Sequence, residues 1–244
     1  PVISRAEGFI LKRTPYGENS AVLRVFTRES GLVSFMVHGL RKAKGGGSAA
    51  LTQVMNRVEI RYYESAAGSL HKVKEMQLHA DARDAGSDLL RTQCLLFSTE
   101  ILHLLLREDS PEPGLYDVCA EVHSLHTDAA FWKLFPSWFL LQTLAQQGSL
   151  PDLEPREGAS GFDPVRGRMA GPDEVIAGDK LLPPSGCRYA LQLYKLKAAA
   201  LSDAGPCEVS LRLLFDSLLE HTRLHLLDGK QVRSVEIIRD VLHS

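Results

Sequence analysis

Residues 8–39 read GFILKRTPYGENSAVLRVFTRESGLVSFMVHG, and this stretch decides the fold. Within residues 20–26, Ala21, Leu23 and Val25 alternate with Val22, Arg24 and Phe26. A period of two predicts a half-buried strand. The polar segment 27–31 ends in Gly31, which can adopt a positive φ and close a tight turn. The apolar runs 8–13 and 32–38 predict two further strands, and the segment 14–17 (TPYG) predicts the turn between the first two.

Two more segments upstream of residue 80 have strand character. Residues 53–63 alternate throughout, and residues 70–78 follow the turn signal Ala66-Ala67-Gly68. Five short strands without an intervening long helix predict a small closed barrel. The OB-fold is such a barrel, with loops and one face that bind oligonucleotides. An SH3-like barrel is the structural alternative.

From residue 88 the apolar residues recur every three or four positions. This spacing predicts a helix over residues 89–105. Further helices are predicted at 116–125, 129–147, 189–201, 209–226 and 232–242. Pro136 should kink the helix over 129–147 or mark a boundary within it.

Residues 148–186 differ in composition from both neighbours, with six of the 12 prolines and seven of the 19 glycines. They predict a long irregular insert, which Phe162, Val165, Met169, Val175 and Ile176 can anchor. We therefore expect an α+β multidomain protein. Its predicted parts are an OB-fold barrel (1–80), a helical domain (81–147), the insert (148–186) and C-terminal helices packed with the helical domain (187–244).

Charge is distributed unevenly along the 244 residues. Residues 1–80 hold twelve Lys/Arg and six Asp/Glu, whereas residues 81–180 hold eight and seventeen. A basic block followed by an acidic one suggests a polyanionic partner for the first block. An uneven but functionless solvated surface is the alternative. No apolar run spans a bilayer, and the first residues lack a secretion signal, so we expect a cytoplasmic protein without membrane contact; nucleoid association is expected only from the resemblance described below.

Metal-binding and catalytic motifs are missing from the sequence. The cysteines at 94, 119, 187 and 207 form no close pair, so buried free thiols are expected instead of zinc or disulfides. His123 with His126 and His221 with His225 could each share a helix face, but exposed or capping histidines are the preferred interpretation. No phosphate-binding loop, nucleophile elbow or HExxH helix occurs. We therefore expect neither cofactor nor metal, and no enzyme; an undetected hydrolase or nuclease is the disfavoured reading.

The first eighty residues combine cations with aromatic rings. Arg41, Lys42 and Lys44 lie in a glycine-rich segment, and Tyr16, Phe35, Tyr62 and Tyr63 are interleaved with further Lys and Arg residues. Cations that follow the backbone and rings that stack on bases are what single-stranded DNA binding requires. Phe35 and one of the two adjacent tyrosines could instead fill the barrel core.

Three segments resemble the RecO family of bacterial recombination mediators. Residues 8–47 are similar to the family's opening, with a PYGE-like turn, a TxExG-like turn and a basic loop. Residues 161–167 (GFDPVRG) resemble its F-x-P-x-x-G segment, and residues 218–242 resemble its closing helix, G-K-x-x-R-S segment and last helix. Family members have an OB-fold, a helical bundle and a zinc-finger-like insert. Residues 148–186 lack the insert's four cysteines, so a metal-free insert is expected here.

The resemblance implies binding of single- and double-stranded DNA, strand annealing, and association with RecR and with the acidic C-terminal tail of single-strand-binding protein, which together assist recombinase loading. The expected DNA-binding residues are Arg13, Tyr16, Arg41, Lys42, Lys44, Arg57, Arg61 and Lys72, with Lys230 and Arg233 as secondary candidates. A protein-interaction module whose basic barrel docks acidic protein tails is the alternative function.

Overall fold

A computed structural model describes residues 2–39, 51–65, 70–80, 88–125, 127–175 and 180–243. The chain divides into two compact units, one of residues 1–86 and 99–124 and one of residues 87–98 and 125–244. The four-part division expected from composition stays a prediction. None of the helices in the described ranges combines the length and hydropathy needed to cross a bilayer.

Five strands form a closed barrel in the first unit. They are β1 (Ile3–Tyr16), β2 (Ser20–Thr27), β3 (Gly31–His38), β4 (Arg57–Tyr63) and β5 (His71–Leu78). Around the barrel the order is β1-β2-β3-β5-β4, and β4 pairs with β1 to close it. All pairs are antiparallel except β3 with β5, which is parallel. This arrangement confirms the predicted five-stranded OB-fold barrel.

The barrel core follows from the alternation in the sequence. Strands β1 to β4 each contribute buried apolar residues from one side, and the core comprises Ile10, Leu23, Val25, Phe35, Val37, Val58 and Ile60, with half-buried residues of β5 packed against it. A bulge between Ile10 and Lys12 shifts the register of β1 against β2. Beyond the bulge, Lys12 is aligned with Arg24 and Arg13 with the core residue Leu23. The period-two pattern grouped Ala21, Leu23 and Val25 on one side of β2, and the structure shows that this side faces the core.

Three predicted strand boundaries are wrong, and the first of them is the start of β1, which lies at Ile3 and not at residue 8. Residues 14–16 belong to β1, and the chain reverses at residues 17–19, where Gly17 has a φ of 63°. Strand β4 begins at Arg57 and not at residue 53. Met55 has a φ of 65°, outside the strand region, and its amide donates to the Ile10 carbonyl at 2.6 Å. The alternating sequence over 53–56 therefore does not form strand.

A helix covers one end of the barrel within the first unit. Helix α1 (Leu89–Leu105) contributes only its residues from Thr99 onward to this unit, and α2 (Pro113–Ser124) packs over Phe9 and Phe26. The Tyr116 ring lies 5.1 Å from the Phe9 ring and 5.5 Å from the Phe26 ring, centroid to centroid. Helix α2 begins at Pro113, three residues before the predicted start, because proline is well suited to the first turn of a helix.

The second unit is built around helix α3 (Ala129–Gln146), which is almost entirely buried. Helices α4 (Pro184–Lys195), α5 (Leu211–His225) and α6 (Val235–His243) pack against it. Trp138 Nε1 donates to the Leu196 carbonyl at 3.0 Å. Helix α3 is continuous through Pro136, so that residue marks no boundary. The predicted helix over 189–201 is instead α4, which begins five residues earlier at Pro184, followed by a 3₁₀ helix, Ala198–Asp203.

The insert contains a short hairpin of β6 (Gly161–Asp163) and β7 (Arg168–Ala170). Phe162 is fully buried, exchanges two backbone hydrogen bonds with Leu182, and meets His221 edge-on at 5.5 Å. Met169 is also buried. The prediction that Val165 and Val175 anchor the insert is wrong, because they are 59% and 42% exposed. Ile176 lies outside the described residues.

Candidate nucleic-acid interface

Cross-strand pairing builds three rows of side chains on the outer face of β1, β2 and β3. The rows are Tyr16–Ser20–His38, Thr14–Val22–Met36 and Lys12–Arg24–Ser34. They face away from the core because the alternate residues of β2 and β3 fill it. Lys72 of β5 extends the middle row, since it is aligned with Met36 on one side and Tyr63 on the other. We call these residues the outer face.

Two of the predicted DNA-binding residues lie on the outer face, and a third lies beside it. Tyr16 is 62% exposed at the end of β1, and Lys72 is exposed near the start of β5. Arg13 is also exposed, although its alignment with Leu23 places it on the other side of β1. Neither Arg13 nor Lys72 forms an ion pair within the described ranges. The predicted basic segment with Arg41, Lys42 and Lys44 lies outside the described residues.

Two predicted arginines are already paired with carboxylates. Arg61 is exposed and lies 3.3 Å from Glu75, its neighbour on β5. Arg57 is held more firmly: its side chain is only 13% exposed, and its Nε donates to Glu7 Oε1 at 2.7 Å. The Arg57 guanidinium also lies over the rings of Phe9 and Tyr116, 5.8 and 5.9 Å from their centroids. Arg57 therefore stabilises the contact between barrel and helix α2, and its geometry leaves little of it for a ligand.

Glu7 is the centre of that network. Its carboxylate accepts from the Tyr116 hydroxyl at 2.8 Å and lies 3.4 Å from His79 Nε2. Burial raises the pKa of Glu7, but hydrogen bonds from Tyr116 and Arg57 outweigh it, so the net pKa is lowered. Burial, with the Glu7 hydrogen bond next, raises the pKa of the Tyr116 hydroxyl. The network is structural and lies at the end of the barrel covered by α2.

The aromatic residues divide between core and surface. Phe35 is fully buried, and its ring meets Tyr62 at 5.1 Å, so this pair belongs to the core. The His71 ring packs on Tyr62 at 4.9 Å, and His71 Nδ1 accepts from the Ser65 amide at 3.1 Å. Tyr63 lies on the opposite side of β4 and is half-buried. Tyr16 and Tyr63 are therefore the tyrosines that the outer face presents.

The two secondary candidates belong to the second unit. Lys230 and Arg233 follow helix α5 and are both exposed. The Lys230 amide closes the turn by donating to the Leu227 carbonyl at 3.0 Å. Their role stays a prediction.

Arg24 and Ser34 of the outer face, and His103 of helix α1, were not among the DNA-binding residues predicted from the sequence. Arg24 lies in the centre of β2, and its Nη2 donates to Glu108 Oε1 at 3.0 Å. The alternation in residues 20–26 did place Arg24 on the side away from Leu23. No sequence signal identifies Glu108 as its partner, because the two residues are 84 positions apart.

The preferred interpretation of exposed or capping histidines is wrong for His123 and His221 but holds for His225, which is exposed. His123 and His221 are buried, and each Nε2 lies near a backbone carbonyl, that of Met55 at 3.0 Å and of Ser149 at 3.3 Å. His225 does share a helix face with His221, with ring centroids 4.4 Å apart. His126 lies outside the described residues. Within the described ranges, no three His, Cys, Asp or Glu side chains are grouped as a metal site would require.

The cysteines are free thiols. Cys94, Cys119 and Cys187 are buried, as expected, whereas Cys207 is half-buried. Burial raises the pKa of the Cys119 thiol to about 12, so this group is un-ionised at neutral pH. Such thiols act as small apolar core residues.

Comparison with known proteins places the chain in a family. A family model described as "Recombination protein O N terminal" matches residues 2–81, which span the barrel. A DNA repair protein RecO from Porphyromonas gingivalis is 31% identical over 240 residues, which cover 92% of both chains. Proteins of the same description from Prosthecochloris aestuarii and Bacteroides fragilis are 25% and 21% identical, each over 98% of this chain. The chain therefore belongs to the RecO family of DNA repair proteins.

Proposed function

We propose that this chain is a non-enzymatic mediator of DNA repair and recombination that binds single- and double-stranded DNA and promotes strand annealing. The observation that carries the proposal is the outer face of the OB-fold barrel. It presents cations at Lys12, Arg24 and Lys72 and exposed or half-exposed rings at Tyr16, His38 and Tyr63. Membership of a DNA repair family supports a nucleic acid as the ligand.

Two kinds of contact would act together. Lysine and arginine neutralise backbone phosphates and release condensed counterions, which gives affinity without sequence preference. Base stacking on an exposed ring such as Tyr16 contributes about 1–3 kcal/mol per base and is sequence-tolerant. Neutralising phosphates on two strands lowers their mutual repulsion. Annealing would then proceed without ATP hydrolysis.

The proposal includes protein partners. RecR and the acidic C-terminal tail of single-strand-binding protein are the proposed partners, and recombinase loading is the process they would serve together. Basic residues around an apolar contact suit an acidic tail. An acidic tail could also compete for the outer face itself, in which case the barrel would be a protein-docking module.

Fluorescence anisotropy with labelled single-stranded DNA over a salt series tests the proposal. The wild type should bind, with a log–log salt slope of about −0.7 for each contacted phosphate. Arg13→Ala/Lys72→Ala should lose affinity and make the slope shallower by about 1.4 if both residues contact phosphate. Arg41→Ala/Lys42→Ala/Lys44→Ala should weaken binding in the same way.

Lys195→Ala/Lys197→Ala is the matched control, because it removes two exposed positive charges from the second unit. It should leave the slope unchanged. Equal losses from both double variants would mean that net charge, and not the outer face, governs binding. A wild type that binds an acidic peptide but no DNA at low salt would establish the protein-docking alternative.

A further inference from the structure

The row Lys12–Arg24–Ser34 crosses three strands in the middle of the outer face. Lys12 is directly aligned with Arg24, and Arg24 with Ser34. Two like charges directly opposite each other destabilise a sheet. The alignment of Lys12 with Arg24 therefore opposes the stability of the barrel, and the Glu108 carboxylate offsets this at Arg24. Ammonium, guanidinium and hydroxyl groups side by side are the donors that bind a phosphate group.

His103, near the end of α1, belongs to the same unit and is subject to the charges of this row. Burial lowers the pKa of His103, and the positive charges of Lys12 and Arg24 lower it further, against the effect of Glu100 on its own helix. Two nitrogens, His103 Nδ1 and Arg24 Nε, are buried and have no hydrogen-bond partner in the described part of the chain. Buried donors and acceptors are rarely left unsatisfied in folded proteins.

One carboxylate reaches this row, which we call the cluster. Glu108 Oε1 accepts from Arg24 Nη2 at 3.0 Å, and the two side chains are 49% and 33% exposed. The segment that carries Glu108 is bonded to the barrel through its backbone. The Leu32 amide donates to the Arg107 carbonyl at 3.4 Å, and Glu108 forms an isolated β-bridge with Gly31. With Lys12 and Arg24 positive and Glu108 negative, the cluster keeps a net charge of 2 − 1 = +1.

We propose that Lys12, Arg24 and Ser34 form a binding site for a phosphate group of the DNA backbone, and that Glu108 is a built-in competitor for it. The proposal rests on the proposed DNA binding and adds its regulation. In the free protein the carboxylate occupies Arg24. When DNA binds, the exposed Glu108 side chain turns into solvent and a phosphate takes its place. An exposed ion pair is weak enough for this exchange.

The nearby rings favour a nucleic acid as the source of the phosphate. Ser20 and Arg24 are four residues apart on β2, so the row that contains Tyr16 and His38 lies roughly 13 Å along the strand from the cluster. A strand bound at the cluster could therefore stack a base on Tyr16. An isolated phosphate would make no use of that ring.

The test compares Glu108→Gln with the wild type in the anisotropy titration. Glu108→Gln should tighten single-stranded DNA binding by about two- to fivefold, the factor that corresponds to an exposed ion pair. Arg24→Ala should weaken binding and make the salt slope shallower by about 0.7. In the Arg24→Ala background, Glu108→Gln should have no further effect on affinity, because the competitor then has nothing to compete for.

Asp109→Asn is the matched control. It removes the same charge at the adjacent position, and asparagine tolerates the φ of 55° found there. Asp109→Asn should leave affinity close to that of the wild type. If it tightens binding as much as Glu108→Gln, or if Glu108→Gln acts equally with and without Arg24, the effect is one of net charge and the competitor model is overturned.

A second measurement separates this inference from the proposed function. Inorganic phosphate should shift the NMR signals of the His103 ring, assigned with His103→Gln, in the wild type but not in Arg24→Ala. If the wild type binds DNA and Arg24→Ala binds equally well, the site is wrong while the proposed function stands. If the wild type binds no DNA, the proposed function fails. A phosphate-induced shift would then still support the anion site, and its absence would overturn it.

Discussion

Glu7 lies where strand β1 meets helix α2, and three side chains from distant parts of the chain converge on it. The carboxylate is bonded to Tyr116 and Arg57, which lower its pKa below the ordinary value of 4.5 in spite of burial. A carboxylate whose pKa is lower in the folded than in the unfolded state stabilises the fold above the unfolded pKa. That stabilisation is lost as the pH falls through the folded value.

Glu7→Gln should therefore destabilise the protein at pH 7 but not in acid. We expect the free energy of unfolding to fall by about 1 kcal/mol at neutral pH. This is at or below the smallest contributions of hydrogen bonds to charged groups, because the carboxylate is partly exposed and screened. The difference from the wild type should shrink as the pH falls below 4.5. Urea unfolding at a series of pH values measures it.

Glu59→Gln is the control for the charge change. Glu59 is aligned with Glu7 on the neighbouring strand, but its carboxylate accepts from the neutral amide of Gln77 at 2.9 Å. This variant should change stability by less than Glu7→Gln at pH 7. Equal losses at pH 7, or a Glu7→Gln effect that persists in acid, would contradict the network as the cause.

At the scale of elements, the turn between β2 and β3 is fixed by a close backbone approach. Gly31 has a φ of 66°, and a Cβ at this position would lie 2.2 Å from the Ser110 carbonyl oxygen. Only glycine permits both the turn and the contact with residues 107–110. The contact matters because that segment carries Glu108.

Gly31→Ala should cost more stability than Gly17→Ala. Both residues have nearly the same φ, 66° and 63°, so both substitutions incur a left-handed strain of about 1–2 kcal/mol. A Cβ at Gly17 meets nothing within 4 Å. The overlap at Gly31 should add a further loss of roughly 1–3 kcal/mol. Urea unfolding of both variants gives the comparison, and equal losses would show that residues 107–110 move aside freely.

At the scale of the whole molecule, the insert shows how a region of low apolar content is kept in a fixed conformation by a few buried contacts. Phe162 is buried between Leu182, which pairs with it through the backbone, and His221 of helix α5. The His225 ring Nε2 lies 3.1 Å from the Val165 carbonyl, so both histidines of α5 contact the insert. Apolar burial and backbone contacts thus hold the described part of this segment.

Phe162→Ala should destabilise the second unit by about 3–5 kcal/mol, the usual cost of removing a buried aromatic ring. Thermal unfolding measures the loss, and the melting temperature of the wild type should not change when a chelator is added. Val165→Ala is the control in the same hairpin, because Val165 is 59% exposed. It should change stability by less than about 0.5 kcal/mol. A chelator that lowers the melting temperature would show that a metal contributes.

Much of the architecture could be predicted because it depends on local patterns. The alternation over residues 20–26 identified the strand and the two sets of residues on its opposite sides, and the helical spacing located helix α3 to within one residue. Boundaries failed where the pattern continues beyond the element, as at Met55, or where proline begins a helix, as at Pro113 and Pro184. The candidate site was predicted less well. Arg57, for example, was expected to bind DNA, but its side chain is bonded to Glu7.

The sequence by itself determined the barrel, the helices that follow, and the family, because periodicity and motif order are properties of neighbouring residues. Only the tertiary structure decided which lysine and arginine side chains are available to bind a ligand. Arg57 and Arg61 are paired with carboxylates, Lys12 is aligned with Arg24, and Glu108 is placed on Arg24 across 84 positions of chain. Ion pairing falls off with the distance in space between two charges, and closure of the barrel sets that distance independently of their separation in sequence.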